Sequence, residues 1–149
     1  MKARARFVAA VAAATVILSS NGATAQDQLA LACSGKQVVE NLSKGTRAVK
    51  KWRITYILDL SHNIWCSVEK CVGGPIAITK YDEASITLVD LGYAFPDSTF
   101  RLKDTIDRRT GHFHGDYRLD DEIGITDGEC TKMPFGGFPA RRGHASNRP

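Results

Sequence analysis

From Leu29 to Cys130 apolar side chains recur at every second position, the period of a strand with one buried and one wet face. Trp52, Ile54, Tyr56, Leu58 and Leu60 alternate with Lys51, Arg53, Thr55, Ile57 and Asp59. Phe100, Leu102 and Ile106 share a face with Asp104, opposite Thr99, Arg101, Lys103 and Thr105. Phe113, Gly115, Tyr117 and Leu119 alternate with His112, His114, Asp116 and Arg118. Ile86 and Leu88 continue the pattern, and the placing of Val89 and Leu91 predicts a change of face at a bulge.

Turn chemistry separates these runs. Asn, Gly, Pro, Asp and Ser gather at Asn41 to Gly45, Ser61 to Asn63, Gly73 to Pro75, Tyr81 to Glu83, Gly92 to Ser98 and Asp107 to Gly111. In the last of these, Asp107 is suited to accept from the turn amides and Gly111 to take a positive φ. The reading is an all-β domain: an antiparallel meander of about seven or eight strands, closed as a small barrel or stacked as a sandwich. Gln37 to Ala48 is read as a strand end and loop, with a short helix as the alternative because Val38, Val39 and Leu42 share a helical face.

The first 25 residues read as a secretory signal peptide. Lys2, Arg4 and Arg6 precede an apolar run of 12 residues, Phe7 to Leu18, and Ala23-Thr24-Ala25 forms a small-residue cleavage site. That run is well short of the ~20 residues that span a bilayer. Cleavage leaves a domain over residues 26–133 and a tail over 134–149, with no later transmembrane segment expected. Losing three of the 20 basic residues and none of the 16 acidic ones takes the net charge from +4 to +1, which argues against a nucleic-acid partner. Cys33 lies too far past Leu18 for a lipid-attachment cysteine.

All four cysteines follow the leader, and an even count in an exported chain predicts two bridges. Of three connectivities the spacing favours Cys66–Cys71, which closes a short loop, and Cys33–Cys130, which ties the first strand to the last. The tail has Arg141, Arg142 and Arg148, no acidic residue, and only Phe135 and Phe138 as large apolar groups. It is expected to be a disordered basic terminus.

Candidate chemistry is sparse. His112, His114 and Asp116 project from one strand face, a donor set able to take Zn²⁺ or Cu²⁺; polar residues on a solvent face read equally well. Asp120, Asp121 and Glu122, with Asp127 and Glu129, read as a charged turn without EF-hand spacing. Asp104 is the anomaly, a carboxylate on an apolar strand face: a candidate ligand contact if buried and unpaired, or else a residue near a strand end or matched with Lys or Arg. Trp52, Tyr56, Trp65, Phe100, Phe113 and Tyr117 either fill the core or line a cavity for an apolar ligand. There is no G-x-S-x-G elbow and no phosphate loop, and a bridged Cys66 is no nucleophile for His62.

Leu31-Ala32-Cys33-Ser34-Gly35, the Trp52 to Leu60 run, Pro75 to Thr79, Ile106 to Gly111 and Cys130-Thr131-Lys132 together resemble small exported proteins of Gram-negative bacteria. The resemblance implies a β-rich envelope protein and carries no catalytic residue. The chain is therefore expected to be a monomeric, periplasmic or secreted binding module without enzymatic activity or cofactor, its partner an envelope protein or small ligand. The alternatives are a Zn²⁺ or Cu²⁺ protein built on His112 and His114, and a surface protein that uses the basic tail.

Overall fold

A computed structural model of the protein describes residues 27–69, 71–96 and 98–139. The expected leader at 1–25 and most of the expected tail, from residue 140 onward, lie outside the described residues. Among the described residues nine antiparallel strands form a single curled sheet, a half-barrel. They are β1 (Gln28–Asn41), β2 (Thr46–Asp59), β3 (Ile64–Ser67), β4 (Ile76–Ala77), β5 (Lys80–Tyr81), β6 (Ser85–Phe95), β7 (Ser98–Asp107), β8 (His112–Leu119) and β9 (Glu122–Met133). The sheet is a half-barrel, and its nine strands are close to the expected seven or eight, β4 and β5 being only two residues each. No helix forms at Gln37 to Ala48, because Val38 and Val39 pair with both β2 and β9 and the ladder overrides a weak helical stripe.

Consecutive strands pair throughout except that β4 does not pair with β5; those two stand at opposite edges while β1 and β9 pair in the middle. One end of this seam is tied. Ile78 N donates to Asn63 O (3.0 Å), Thr79 N to Thr87 O (3.1 Å) and the Tyr81 hydroxyl to Leu60 O (2.9 Å). Past that point β5 stops while β6 continues to Phe95, so its outer edge has no strand partner among the described residues. The sheet stays open there. The expected bulge falls between Thr87 and Val89, and it turns both Leu88 and Val89 toward buried positions.

The inward face carries Leu31, Cys33, Tyr56, Leu58, Ile86, Leu88, Ile106 and Phe113 as its buried core. Curvature comes from glycine at a crowded point. Trp52 stands opposite Gly35, Gly35 opposite Gly128, and Gly128 opposite Phe113. A Cβ on Gly35 would lie 2.0 Å from Asp127 O, and one on Gly128 2.5 Å from Ser34 O. Without side chains there, the sheet folds inward and the Trp52 and Phe113 rings stack across the two glycines at 4.4 Å.

Both expected disulfides are present, Cys33–Cys130 between facing residues of β1 and β9, and Cys66–Cys71 from β3 to the 3₁₀ turn Cys71–Gly73. The Asp107 turn forms as its chemistry requires: Asp107 Oδ1 accepts from Arg109 N (2.8 Å) and Thr110 N (2.9 Å), and Gly111 has φ 78°.

A buried carboxylate fixes the turn after β2. Burial alone would raise Asp59, but hydrogen bonds outweigh it and hold its carboxyl well below the usual range. They come from the Ser61 hydroxyl (2.6 Å), the Gln28 amide (3.1 Å) and the His62 backbone N (3.1 Å), with the His62 ring at 2.9 Å. A depressed folded-state value stabilises above the unfolded value of ~4 and loses that contribution as pH falls through the folded one. Asp59→Asn is expected to lower stability at pH 7 by about 1–2 kcal/mol and to flatten the acid limb of a urea-denaturation series. An acid limb as steep as the parent's would contradict this role for Asp59.

Candidate functional site

Inside the half-barrel, facing the open seam, lies a cavity of about 460 Å³. Its lining comes from β1, β2, β3, β4, β6, β7, β8 and β9, and β4 and β6 flank the side where β4 and β5 do not pair. Trp52, Tyr56, Trp65, Phe113 and Tyr117 form its aromatic wall, and Ile76 and Leu91 flank the mouth, both more than half exposed. Tyr56 meets Trp65 edge-on at 5.6 Å and stacks with Phe113 at 5.9 Å. Of the six rings expected to fill the core or line a cavity, these five line the cavity, and Trp52, Tyr56, Trp65 and Phe113 also belong to or pack against the core. The sixth, Phe100, does not reach the cavity; it stacks on Tyr93 at 5.0 Å in the projecting β6–β7 hairpin.

Polar groups enter this wall at few points. Asp104 faces inward from β7, between Val89 on β6 and Gly115 on β8. Its carboxylate occupies the space above Gly115, where a Cβ would come within 2.6 Å of Oδ1 and 3.0 Å of the Phe113 ring. The glycine at 115 therefore leaves room for this carboxylate beside the Phe113 ring. Gln37, Ser67 and Thr126 add neutral groups. Asp116 also borders it but pairs with Arg101 at 3.4 Å.

The electrostatics follow from this burial. The Tyr56 phenol is pushed far above its ordinary value, first by burial and then by the negative charges of Asp104 and Glu69, so it remains a neutral donor. Tyr117 is raised to about 12 by burial and by Glu122, whose carboxylate accepts its hydroxyl hydrogen. The Trp65 indole N–H is buried without a hydrogen-bond partner among the described residues, and an orphaned donor is rare in a well-filled interior.

The histidine strand is arranged differently from the expected metal set. His112 and His114 do project together from the outer face of β8, but both turn to Asp127 of β9, at 3.3 and 3.4 Å, since His114 stands directly opposite that residue. Asp116 is drawn away to Arg101. Among the described residues no group of three or more His, Cys, Asp or Glu side chains has a metal-holding arrangement. Likewise the acidic stretch at Asp120 serves a turn: Asp120 has φ 51° and its Oδ1 accepts from Thr99 N at 2.9 Å.

A second recess, about 690 Å³, opens at the other end of the sheet among Asp27, Glu83, Arg108, Arg109 and Lys132. It is larger, but its charges are mixed in sign, and Asp107 and Arg108 are already engaged in holding turns. The sequence missed two features that matter for the aromatic cavity, the open seam and the glycine floor at Gly35 and Gly128. The only available signal was Gly at inward-facing positions beside Trp52 and Phe113. Comparison with protein-family models, with curated proteins and with solved structures finds no match for this chain.

Proposed function

We propose that the protein is a non-catalytic binding module of the cell envelope or exterior that holds a small organic molecule in the aromatic cavity of its half-barrel. The observation that carries this reading is the roughly 460 Å³ aromatic-walled cavity opening at the seam, with Asp104 and Asp116 in its lining. Its size lies within the range of small-molecule sites, and apolar walls with few placed polar groups are their usual chemistry. Two disulfides support work in an oxidising compartment. No helix among the described residues is long and apolar enough to cross a membrane.

Both tryptophans of the chain line the cavity, so intrinsic fluorescence reports its occupancy. Titration with the uncharged probe N-phenyl-1-naphthylamine is expected to quench tryptophan emission and raise probe emission, saturating at one molecule per chain. Glutamate at both mouth positions, Ile76→Glu with Leu91→Glu, should weaken binding by about tenfold or more, since each buries a charge against the ligand. Those residues are exposed, so the fold should survive. Absence of a saturable signal, or equal binding by the double variant, would overturn the reading.

A further inference from the structure

We propose that two copies of this chain associate about a twofold axis by antiparallel pairing of their β6 edges, joining two half-barrels into one continuous sheet. This goes beyond the ligand site and does not depend on it. The edge is available: β5 pairs with β6 only at Ile86 and Thr87, and from Val89 to Phe95 the outer side of β6 has no strand partner among the described residues. It is also apolar. Leu91, Tyr93 and Phe95 alternate onto one face and are each more than half exposed. Tyr93 lies between Phe95 at 5.2 Å and Phe100 at 5.0 Å, so these rings are ordered before a partner arrives. The contrast with β2 is informative. From Thr46 to Ile54 its outer side also lacks a strand partner among the described residues, but it carries Arg47, Lys50, Lys51 and Arg53, a guard against edge-to-edge pairing. Between Val89 and Phe95 the one charge is Asp90, and Lys103 answers it at 3.3 Å.

The backbone fixes which groups face outward. Thr99 stands opposite Ala94, and its N–H and C=O both engage Asp120, on the side away from β6. Residues along an antiparallel strand bond alternately to one side and the other. Ala94, Gly92 and Asp90 therefore turn their N–H and C=O to the free edge. A second β6 laid antiparallel, with Gly92 on the twofold axis, uses all of them. Gly92 then faces Gly92, and Asp90 of each copy faces Ala94 of the other, each pair exchanging two main-chain hydrogen bonds. Between them Leu91 faces Tyr93 and Val89 faces Phe95, so the pairs on that face are all apolar. A register centred on Asp90 would oppose two carboxylates, and one centred on Ala94 would carry the ladder onto Pro96, which has no N–H to give. The Gly92 register matches the edge to itself, and a twofold contact of this kind closes at two copies.

The test is sedimentation equilibrium of the parent and three variants from low micromolar to near-millimolar concentration. The parent should pass from the mass of one chain to that of two as concentration rises, as expected of a small interface. Gly92→Pro removes an outward N–H and no bond to β7, sets a ring on the axis, and should weaken association by about tenfold or more. Ala94→Asp should weaken it by about threefold or more, since it opposes Asp90 twice across the axis, whereas Ala94→Lys should strengthen it. Position 94 is exposed, so opposite effects of these two substitutions report the register and not the fold. They decide the matter even where Gly92→Pro does not fold. Growth beyond two chains, an undiminished dimer in a folded Gly92→Pro, or equal effects of the two Ala94 substitutions would overturn the proposal. So would a single-chain mass throughout, which would assign the edge to an extended strand of another protein.

Discussion

Serine at both Cys33 and Cys130 is expected to destabilise the protein by about 4–5 kcal/mol and to lower Tm by about 15–20 °C. The two residues are 97 apart in sequence, so the bridge removes a long loop's freedom from the unfolded chain. It also joins β1 to β9, the pairing that brings the first and last of the described strands together in the middle of the sheet. The second bridge encloses a loop of only a few residues, and Cys66→Ser with Cys71→Ser should cost about 2 kcal/mol by the same reasoning. Urea denaturation of both variants, read by tryptophan emission, separates the two. Equal losses would contradict the assignment of the long bridge as the main covalent restraint.

The second large effect belongs to Phe113, which is 1% exposed and touches rings on both sides. Phe113→Ala removes the ring that stacks on Trp52 across Gly35 and Gly128 and is expected to cost about 3–5 kcal/mol. Part of that is pairwise. A cycle with Trp52→Ala should give a coupling of about 0.5–1.5 kcal/mol, the range for stacked aromatic pairs. Probe affinity should fall in parallel, because the same ring forms the cavity wall. A loss below about 1 kcal/mol would mean that the glycine floor closes without the stack.

Much of the fold was legible because the strands are long and half-buried. Trp52 to Tyr56, Phe100 to Ile106 and Phe113 to Tyr117 face as the alternation reads, whereas Ile57 and Asp59, read as outward, are buried, and Leu119, read as inward, is exposed. The Asp107 turn and the bulge near Leu88 were also written in local chemistry. Failures came where local signal is absent. Ile76–Ala77 and Lys80–Tyr81 are too short to show a period, yet their separation decides that the sheet remains open. Cross-strand register is not carried by one strand's sequence, so Asp127 could not be seen as the partner of His112 and His114, nor Arg101 as that of Asp116. Asp104 was visible as an acid on an apolar face, whereas the cavity it faces depends on how far Gly35 and Gly128 let the sheet curl.

The most direct measurement of the central claim is a methyl-resolved NMR titration of the protein with N-phenyl-1-naphthylamine. The shifts should concentrate on Ile54, Val89, Leu91 and Leu102, which line the aromatic cavity, with the Trp52 and Trp65 indole signals moving alongside. Shifts confined to Leu29, Ile86 and Ile106 at the charged recess, or to no inward-facing methyl at all, would contradict it.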